Sequence, residues 1–252
     1  MRDARIKQME ALVARRETVT MEELRQTFGV SMNTVRSDVA YLVSTGAVEK
    51  IYGGVRALQR QEVPLFTQRR ELRAGEKRRI ARQAEERIRD GDILYIDAGT
   101  TTMHLIEFLD PAKHVTIITG NLHVVSLAYT KPNVELIVLP GVMNRRTNST
   151  ADVSTLEFLG RYQYAKAFMG ASGVSADGKL SVSTYIEYEL KKLAVRQSRQ
   201  AYLLVDAGKF GGSSLMSYGA LEDMAEIITA APCPEELRER CQRKNIRLTV
   251  TE

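Results

Sequence analysis

MEELRQTFGVSMNTVRSDVAYLVSTGAVEKIYGGV, residues 21–55, decides how the first part of this chain folds. Thr20 and Glu23 form a capping box at its start, the hydroxyl serving one free helix N–H and the carboxylate another. A short helix runs on to Phe28, and Gly29 breaks it. Ser31 is placed to cap the next helix. That helix turns Val35, Val39, Leu42 and Val43 inward, and Gly46 ends it. Residues 48–51 and 55–58 flank Tyr52-Gly53-Gly54, the pattern of a two-stranded hairpin. Upstream, Ile6, Met9, Leu12 and Val13 recur at helical spacing.

Helix, tight turn, helix is the spacing of a helix-turn-helix, here with a hairpin as wing over residues 1–58. With Val35 facing inward, Asn33, Ser37 and Ala40 face outward, and Arg36 and Tyr41 flank them. Small polar residues let a helix lie close to a major groove, where Asn33 or Arg36 reach base edges. Ser31 and Asn33 at the helix start aim backbone N–H groups at a phosphate. Lys50, Tyr52 and Arg56 on the wing are expected to touch phosphate or minor groove. The competing reading of the same pattern is a three-helix interaction module without DNA contact.

The charge distribution agrees with DNA binding. The chain has 252 residues and a formal charge of +5. Residues 1–60 carry a net +3, residues 61–90 another +3, and residues 91–252 a net −1. A polyanion partner is therefore expected for the N-terminal part, unless its basic face is merely solvated. With 44% apolar and 27% charged residues the composition is globular. No apolar run reaches the roughly 18 residues of a membrane span. No signal peptide precedes the first helix, and Cys233 and Cys241 form no CxxC pair. The expectation is a cytoplasmic protein without membrane partner, disulfide framework or zinc ribbon.

Residues 59–90 are polar and basic, and read as a basic linker that becomes a connecting helix from about Glu76 and closes near Gly91. From 91 onward the pattern changes. Strands are expected at 93–96, 115–119, 134–139, 165–169, 201–205 and 227–229. Helices are expected between and after them, at 104–109, 122–129, 153–161, 185–199 and 234–244. The alternation implies an α/β domain over 91–252 with a mostly parallel sheet flanked by helices.

Ligands of parallel sheets collect at the carboxyl ends of strands, where Asp97, Thr119, Gly170 and Asp206 all fall. Gly99 lets backbone approach a ligand, and Thr100, Thr101 and Thr102 offer hydroxyls and N–H groups to a phosphate. The same run is equally a turn capped by Asp97 or Thr100. Asn121 suits a sugar hydroxyl, and Lys209, oriented by Asp206, suits a phosphate. Thr184 with Glu187 makes a capping box, and Glu187 with Lys191 an i,i+4 pair, so both residues also read as helix stabilisers. Arg145 and Arg146 either meet an effector's phosphate or solvate a loop. There is no Walker loop, dinucleotide fingerprint or nucleophile elbow. His104, His114 and His123 lack metal-ligand spacing, so no metal or other cofactor is expected.

The chain resembles the DeoR family of bacterial transcriptional regulators over almost its whole length. In the first part the resemblance rests on Leu24, Phe28, Val30, Ser31, Thr34, Arg36, Asp38, Leu42, Gly46 and Gly53-Gly54. In the second it rests on six motifs, Asp97 to Thr102, Thr119-Gly120-Asn121, Pro140-Gly141, Gly170 to Val174, Glu187 with Lys191, and Asp206 to Phe210. The resemblance implies a winged helix-turn-helix on duplex operator DNA. It implies a sensor domain similar to ribose-5-phosphate isomerase that binds a phosphorylated sugar. It implies a repressor of carbohydrate genes acting as a homo-oligomer, dimer or higher. It adds Thr34 to the DNA contacts and Gly141, Gly170, Ser172, Glu187 and Lys191 to the effector site. The chain departs from the family pattern at five positions. Ser37 stands where a second Arg is usual and Tyr52 where His is usual. Gly141-Val142 replaces Gly-Gly, and Asp206-Ala207-Gly208-Lys209 lacks two hydroxyls. Two other functions compete: a phosphosugar isomerase using Asp97, Glu187 or Lys191 as acid and base, and a DNA-binding protein whose α/β domain only oligomerises.

Overall fold

A computed structural model of the protein describes residues 2–16, 18–44, 48–57 and 65–252. The chain divides into two compact units, Met1–Glu62 and Val63–Glu252.

In the first unit, helices Arg2–Arg16, Met21–Phe28 and Met32–Ser44 enclose a core of Met9, Val13, Leu24, Val35, Val39 and Leu42. The capping box forms as expected: Thr20 Oγ1 accepts from Glu23 N, and Glu23 Oε2 accepts from Thr20 N. Gly29 closes the second helix in the left-handed region at φ 60°. Val43, expected inside, is exposed. Eight residues on from Val35 it lies about 80° around the helix, beyond the buried stripe. Asp38 is 1% exposed and accepts from Arg5 Nε at 2.7 Å, which ties the third helix to the first.

The expected hairpin forms from Val48–Ile51 and Gly54–Ala57, and Thr18–Thr20 pairs antiparallel with its second strand to make a three-stranded sheet. That pairing accounts for both glycines. Gly53 turns at φ +77°, and a Cβ on Gly54 would lie 2.5 Å from Val19 O. The expected helix end at Gly46, Leu58 of the hairpin, and positions 59–64 of the linker lie outside the described residues.

The second unit is built on seven strands in the order Arg247–Thr251, Glu226–Ala230, Ser198–Leu204, Tyr164–Met169, Ile93–Ile96, Val115–Thr119, Val134–Val138. Every neighbouring pair is parallel. Successive residues of each inner strand point to opposite faces. Leu94, Ile96, Phe168, Leu204 and Ile228 enter one core, and Tyr95, Ala167, Met169, Leu203 and Ile227 the other. Burial on both faces is why these strands read as continuous apolar runs. The six expected strands are present with ends shifted by at most three residues. The seventh, Arg247–Thr251, was not anticipated, nor was a small antiparallel sheet of Gly173–Val174, Lys179–Val182 and Met216–Ala220.

The stretch expected as linker and connecting helix differs from residue 65 onward. Helices Phe66–Glu71 and Ala74–Glu85 belong to the second unit, and Phe66, Ile80, Ala81, Ala84 and Ile88 are buried in its core. Arg78, Arg79 and Arg82, which made this stretch look like a linker, sit on the outer face of an amphipathic helix, whereas Lys77 is buried. Phe66→Ala should therefore cost about 3–5 kcal/mol of the second unit's stability. Urea unfolding reads this directly, and an unshifted midpoint would return the residue to a linker.

Candidate functional site

The outward face of the third helix carries Asn33, Arg36, Ser37, Ala40 and Tyr41, all exposed. Ser31 Oγ accepts from Thr34 N at 3.2 Å and lies 2.9 Å from Thr34 Oγ1, so this pair caps the helix. Lys50, Tyr52 and Arg56 are exposed on the hairpin, Tyr52 fully so at its turn. Arg56 Nε stands 3.4 Å from Glu49 Oε1, which leaves its charge partly committed on the strand.

In the second unit the strand order reverses between Ile93–Ile96 and Tyr164–Met169, because the chain winds outward from one and returns beside it. At such a switch point the connections leave in opposite directions and open a crevice at the carboxyl ends. Asp97 to Thr101 and Gly170 to Ser172 line it, as do Glu187, Lys191 and Lys209. Nine of the expected effector residues thus converge: Asp97, Gly99, Thr100, Thr101, Gly170, Ser172, Glu187, Lys191 and Lys209.

The floor is an ion pair. Asp97 Oδ2 accepts from Lys191 Nζ and from Gly170 N at 3.0 Å. Lys191 also donates to Gly170 O at 2.9 Å, as does Tyr218 OH at 3.0 Å. Lys191 is thus not the partner of Glu187 that its i,i+4 spacing suggested. Glu187 Oε2 instead accepts from Ser183 Oγ at 3.1 Å and Thr184 Oγ1 at 2.9 Å. Burial and the Asp97 charge raise the pKa of Tyr95 and Tyr218 well above the ordinary phenol value.

The remaining expected residues sit behind or beside the lining. Thr102 Oγ1 donates to Asp97 O at 2.8 Å, and Thr119 Oγ1 to Ile96 O at 2.7 Å. Asn121 caps the helix Leu122–Ala128 and reaches Asp97 O with Nδ2 at 3.4 Å. Asp206 caps the turn Ala207–Lys209, its Oδ2 4.0 Å from Lys77 Nζ. Gly141, at φ +130°, packs against Ala151 and Asp152. Arg145 is exposed away from the crevice, and its neighbour Arg146 lines the outer mouth with Arg69, Ser183 and Thr184.

Two cationic groups were missed. Arg69, on helix Phe66–Glu71, lines both the crevice and its mouth. Burial lowers its pKa, Arg146 lowers it further, and Glu187 and Asp97 oppose this. Lys209 is lowered by burial and by Arg69, against Asp206. An anion entering here offsets both penalties at once. Lys77, 2% exposed, donates to Arg69 O. Arg69 lay in the stretch expected as linker, where only Phe66 three residues before it hinted at a packed helix, and Lys77 at the start of the expected connecting helix. Also missed were Asn144, Thr147, Ser149 and Thr150, which line the crevice from one hairpin.

A helix-turn-helix unit with an exposed polar face, followed by a doubly wound unit with a cationic switch-point crevice, defines a ligand-responsive transcriptional regulator. The DeoR-like helix-turn-helix domain matches residues 5–61 and the DeoR C terminal sensor domain residues 72–231. The chain belongs to the DeoR family. It is 37% identical over 242 residues to the HTH-type transcriptional regulator IolR of Bacillus subtilis (strain 168), covering 96% of each chain. It is 29% identical over 239 residues to the glycerol-3-phosphate regulon repressor of Escherichia coli (strain K12), covering 95% of each. It is 32% identical over 231 residues to the lactose phosphotransferase system repressor of Staphylococcus epidermidis (strain ATCC 12228 / FDA PCI 1200), covering 89% of this chain and 90% of that one. The protein is a regulator rather than an enzyme, so the acid–base role weighed for Asp97, Glu187 or Lys191 falls away. Among the described residues no helix is long and apolar enough to cross a membrane.

Lys77 provides a pH signature of the site. Burial, with Lys209 and Arg69, lowers its pKa from 10.5 to about 8, against the pull of Asp206. Between those values the folded chain has released the proton that the unfolded chain still holds, so stability from this group rises with pH. Below about pH 8 the penalty for burying the charge is complete. Wild type should therefore gain stability relative to Lys77→Met between pH 8 and 10, in urea titrations at several pH values. A constant difference would place Lys77 in water, and a falling one would mean that Asp206 outweighs the burial.

Proposed function

We propose that the protein represses carbohydrate-metabolism genes and that a phosphorylated sugar in the crevice sets its operator affinity. The observation that carries this reading is the crevice itself, which the half-buried Arg69 and Lys209 line together with the turn of Gly99, Thr100 and Thr101. A phosphate dianion accepts hydrogen bonds only, and these are the donors it takes. The relatives named as repressors of a glycerol-3-phosphate regulon and of a lactose phosphotransferase system support the same class of gene and ligand. The effector acts only if it binds the two DNA-affinity states differently. A coupling of roughly 1–3 kcal/mol changes operator affinity about 5- to 150-fold. The protein acts in the cytoplasm as a homo-oligomer, because one winged module offers few base contacts and operators are read as paired half-sites.

On a labelled operator fragment, Arg36→Ala should weaken binding by about 1–3 kcal/mol, and affinity should fall steeply with salt. Sedimentation of the same complex should give two or more chains per operator. A wild-type footprint in Arg36→Ala, or a single chain bound, would sink the corresponding half of this reading.

Lys209→Gln tests the effector half. Losing one charge-assisted hydrogen bond of about 1.5–3 kcal/mol should raise the effector concentration needed for release by roughly 10- to 100-fold. Gel shifts titrated with a panel of sugar phosphates measure it. An unaltered response would put the phosphate elsewhere.

A further inference from the structure

The hairpin 143–150, from which only Arg145 and Arg146 were expected to meet a ligand, forms a wall of the crevice through other residues. Its two strands pair Met143 with Thr150 and Asn144 with Ser149. It is pinned at the switch-point side: Leu122 N donates to Asn148 O at 3.0 Å and Thr150 N to Gly120 O at 2.9 Å. A Cβ on Gly120 would lie 2.6 Å from Thr150 O, so the glycine between Thr119 and Asn121 exists to let this wall close in. At its other end Arg146 O accepts from Phe66 N at 3.0 Å. A wall fixed at both ends holds its side chains in register.

The side chains the wall turns to the crevice, Asn144, Thr147, Ser149 and Thr150, are uncharged and polar. Thr147 and Ser149, 9% and 5% exposed, share a hydroxyl hydrogen bond of 2.8 Å in which either donates. Thr150 Oγ1 gives its proton to Leu139 O at 2.7 Å and keeps its lone pairs. Asn144 Oδ1 accepts from Arg146 N at 2.9 Å, which leaves Nδ2 as its donor. The wall thus presents a donor at Asn144, an acceptor at Thr150, and between them a hydroxyl pair that can serve as either. A phosphate dianion has no proton for the acceptors, whereas a sugar hydroxyl both gives and takes one.

We propose that this hairpin is the specificity-determining surface of the site: Asn144, Thr147 and Ser149 read the hydroxyl pattern of a polyol phosphate whose phosphate lies at Arg69 and Lys209. The proposal rests on the sugar-phosphate reading above and adds which residues choose among such ligands. The wall presents donors and acceptors at fixed positions, so a ligand with one hydroxyl inverted leaves a buried partner unmet.

The experiment uses the full chain and titration calorimetry with inorganic phosphate, glycerol 3-phosphate, ribose 5-phosphate and a set of hexose 6-phosphates differing at single carbons. Wild type should spread these ligands over a wide range of affinity. Thr147→Val removes one hydroxyl at constant shape, and Asn144→Ala, at a half-buried position, gives a second variant should the first fold poorly. Each should narrow the spread among the sugar phosphates by about tenfold, the value of one hydrogen bond, and change inorganic phosphate less than twofold. An equal loss for inorganic phosphate, or an unchanged spread, overturns the proposal while leaving the sugar-phosphate reading in place. Wild type that binds no sugar phosphate overturns both.

Discussion

The Asp97 carboxylate, held between Lys191 Nζ and the Gly170 amide, is the contact on which the second unit's architecture turns. Asp97 ends the strand from which the chain winds outward, and Gly170 follows the strand on which it returns. Lys191 comes from a helix on one face only. Three separately placed elements therefore meet in one buried pair. A pair of this kind adds little net stability against apolar packing of equal volume, but removing one partner costs roughly 3–5 kcal/mol. Its value lies in fixing a single relation between the two halves of the sheet. The crevice walls inherit that relation.

Because floor charges cancel, the field in the crevice is set by what stands above them. Burial depresses both Arg69 and Lys209, Arg146 lowers Arg69 further, and Arg69 in turn lowers Lys209. The site holds this strain through neighbouring structure: Asp206 beside Lys209, Lys77 on the Arg69 carbonyl, and helix Phe66–Glu71 tied to Arg146. Residues that looked like ligand contacts, Thr102, Thr119, Asn121 and Asp206, instead hold backbone around the switch point. Motif residues at strand ends serve the turn before they serve a ligand, since each strand end leaves carbonyl and amide groups that need partners.

The inner strands were legible because burial on both faces writes a run such as Ile93–Ile96 without polar interruption. The edge strand Arg247–Thr251 alternates charged, apolar and hydroxyl residues, so it lacks that signal. The third helix was legible through its caps and stripe, and Val43 failed only because valine is apolar on either side of the stripe's border. Within residues 65–90 the helix from about Glu76 was legible, whereas helix Phe66–Glu71 and the packing of both against the sheet were not, for a physical reason. Four apolar positions, Ile80, Ala81, Ala84 and Ile88, carry the packing, while arginines on the other face dominate the composition. In the site, residues near a glycine or at a strand end could be found. Arg69, Asn144, Thr147 and Ser149 could not, because a one-and-a-half-turn helix and a two-residue-stranded hairpin are too short to carry a period and their convergence is tertiary.

Lys191 lies 94 residues after Asp97, a separation with a consequence for synthesis. At about 5–20 residues per second, roughly 5–20 s pass between the two leaving the peptidyl transferase centre. The first unit needs only local pairings and can fold inside that interval. A ribosome that stalls before Lys191 thus displays a DNA-reading unit whose sensor has no floor. Translation order makes the operator-binding half competent first, and the responsive half arrives as a later, all-or-none addition.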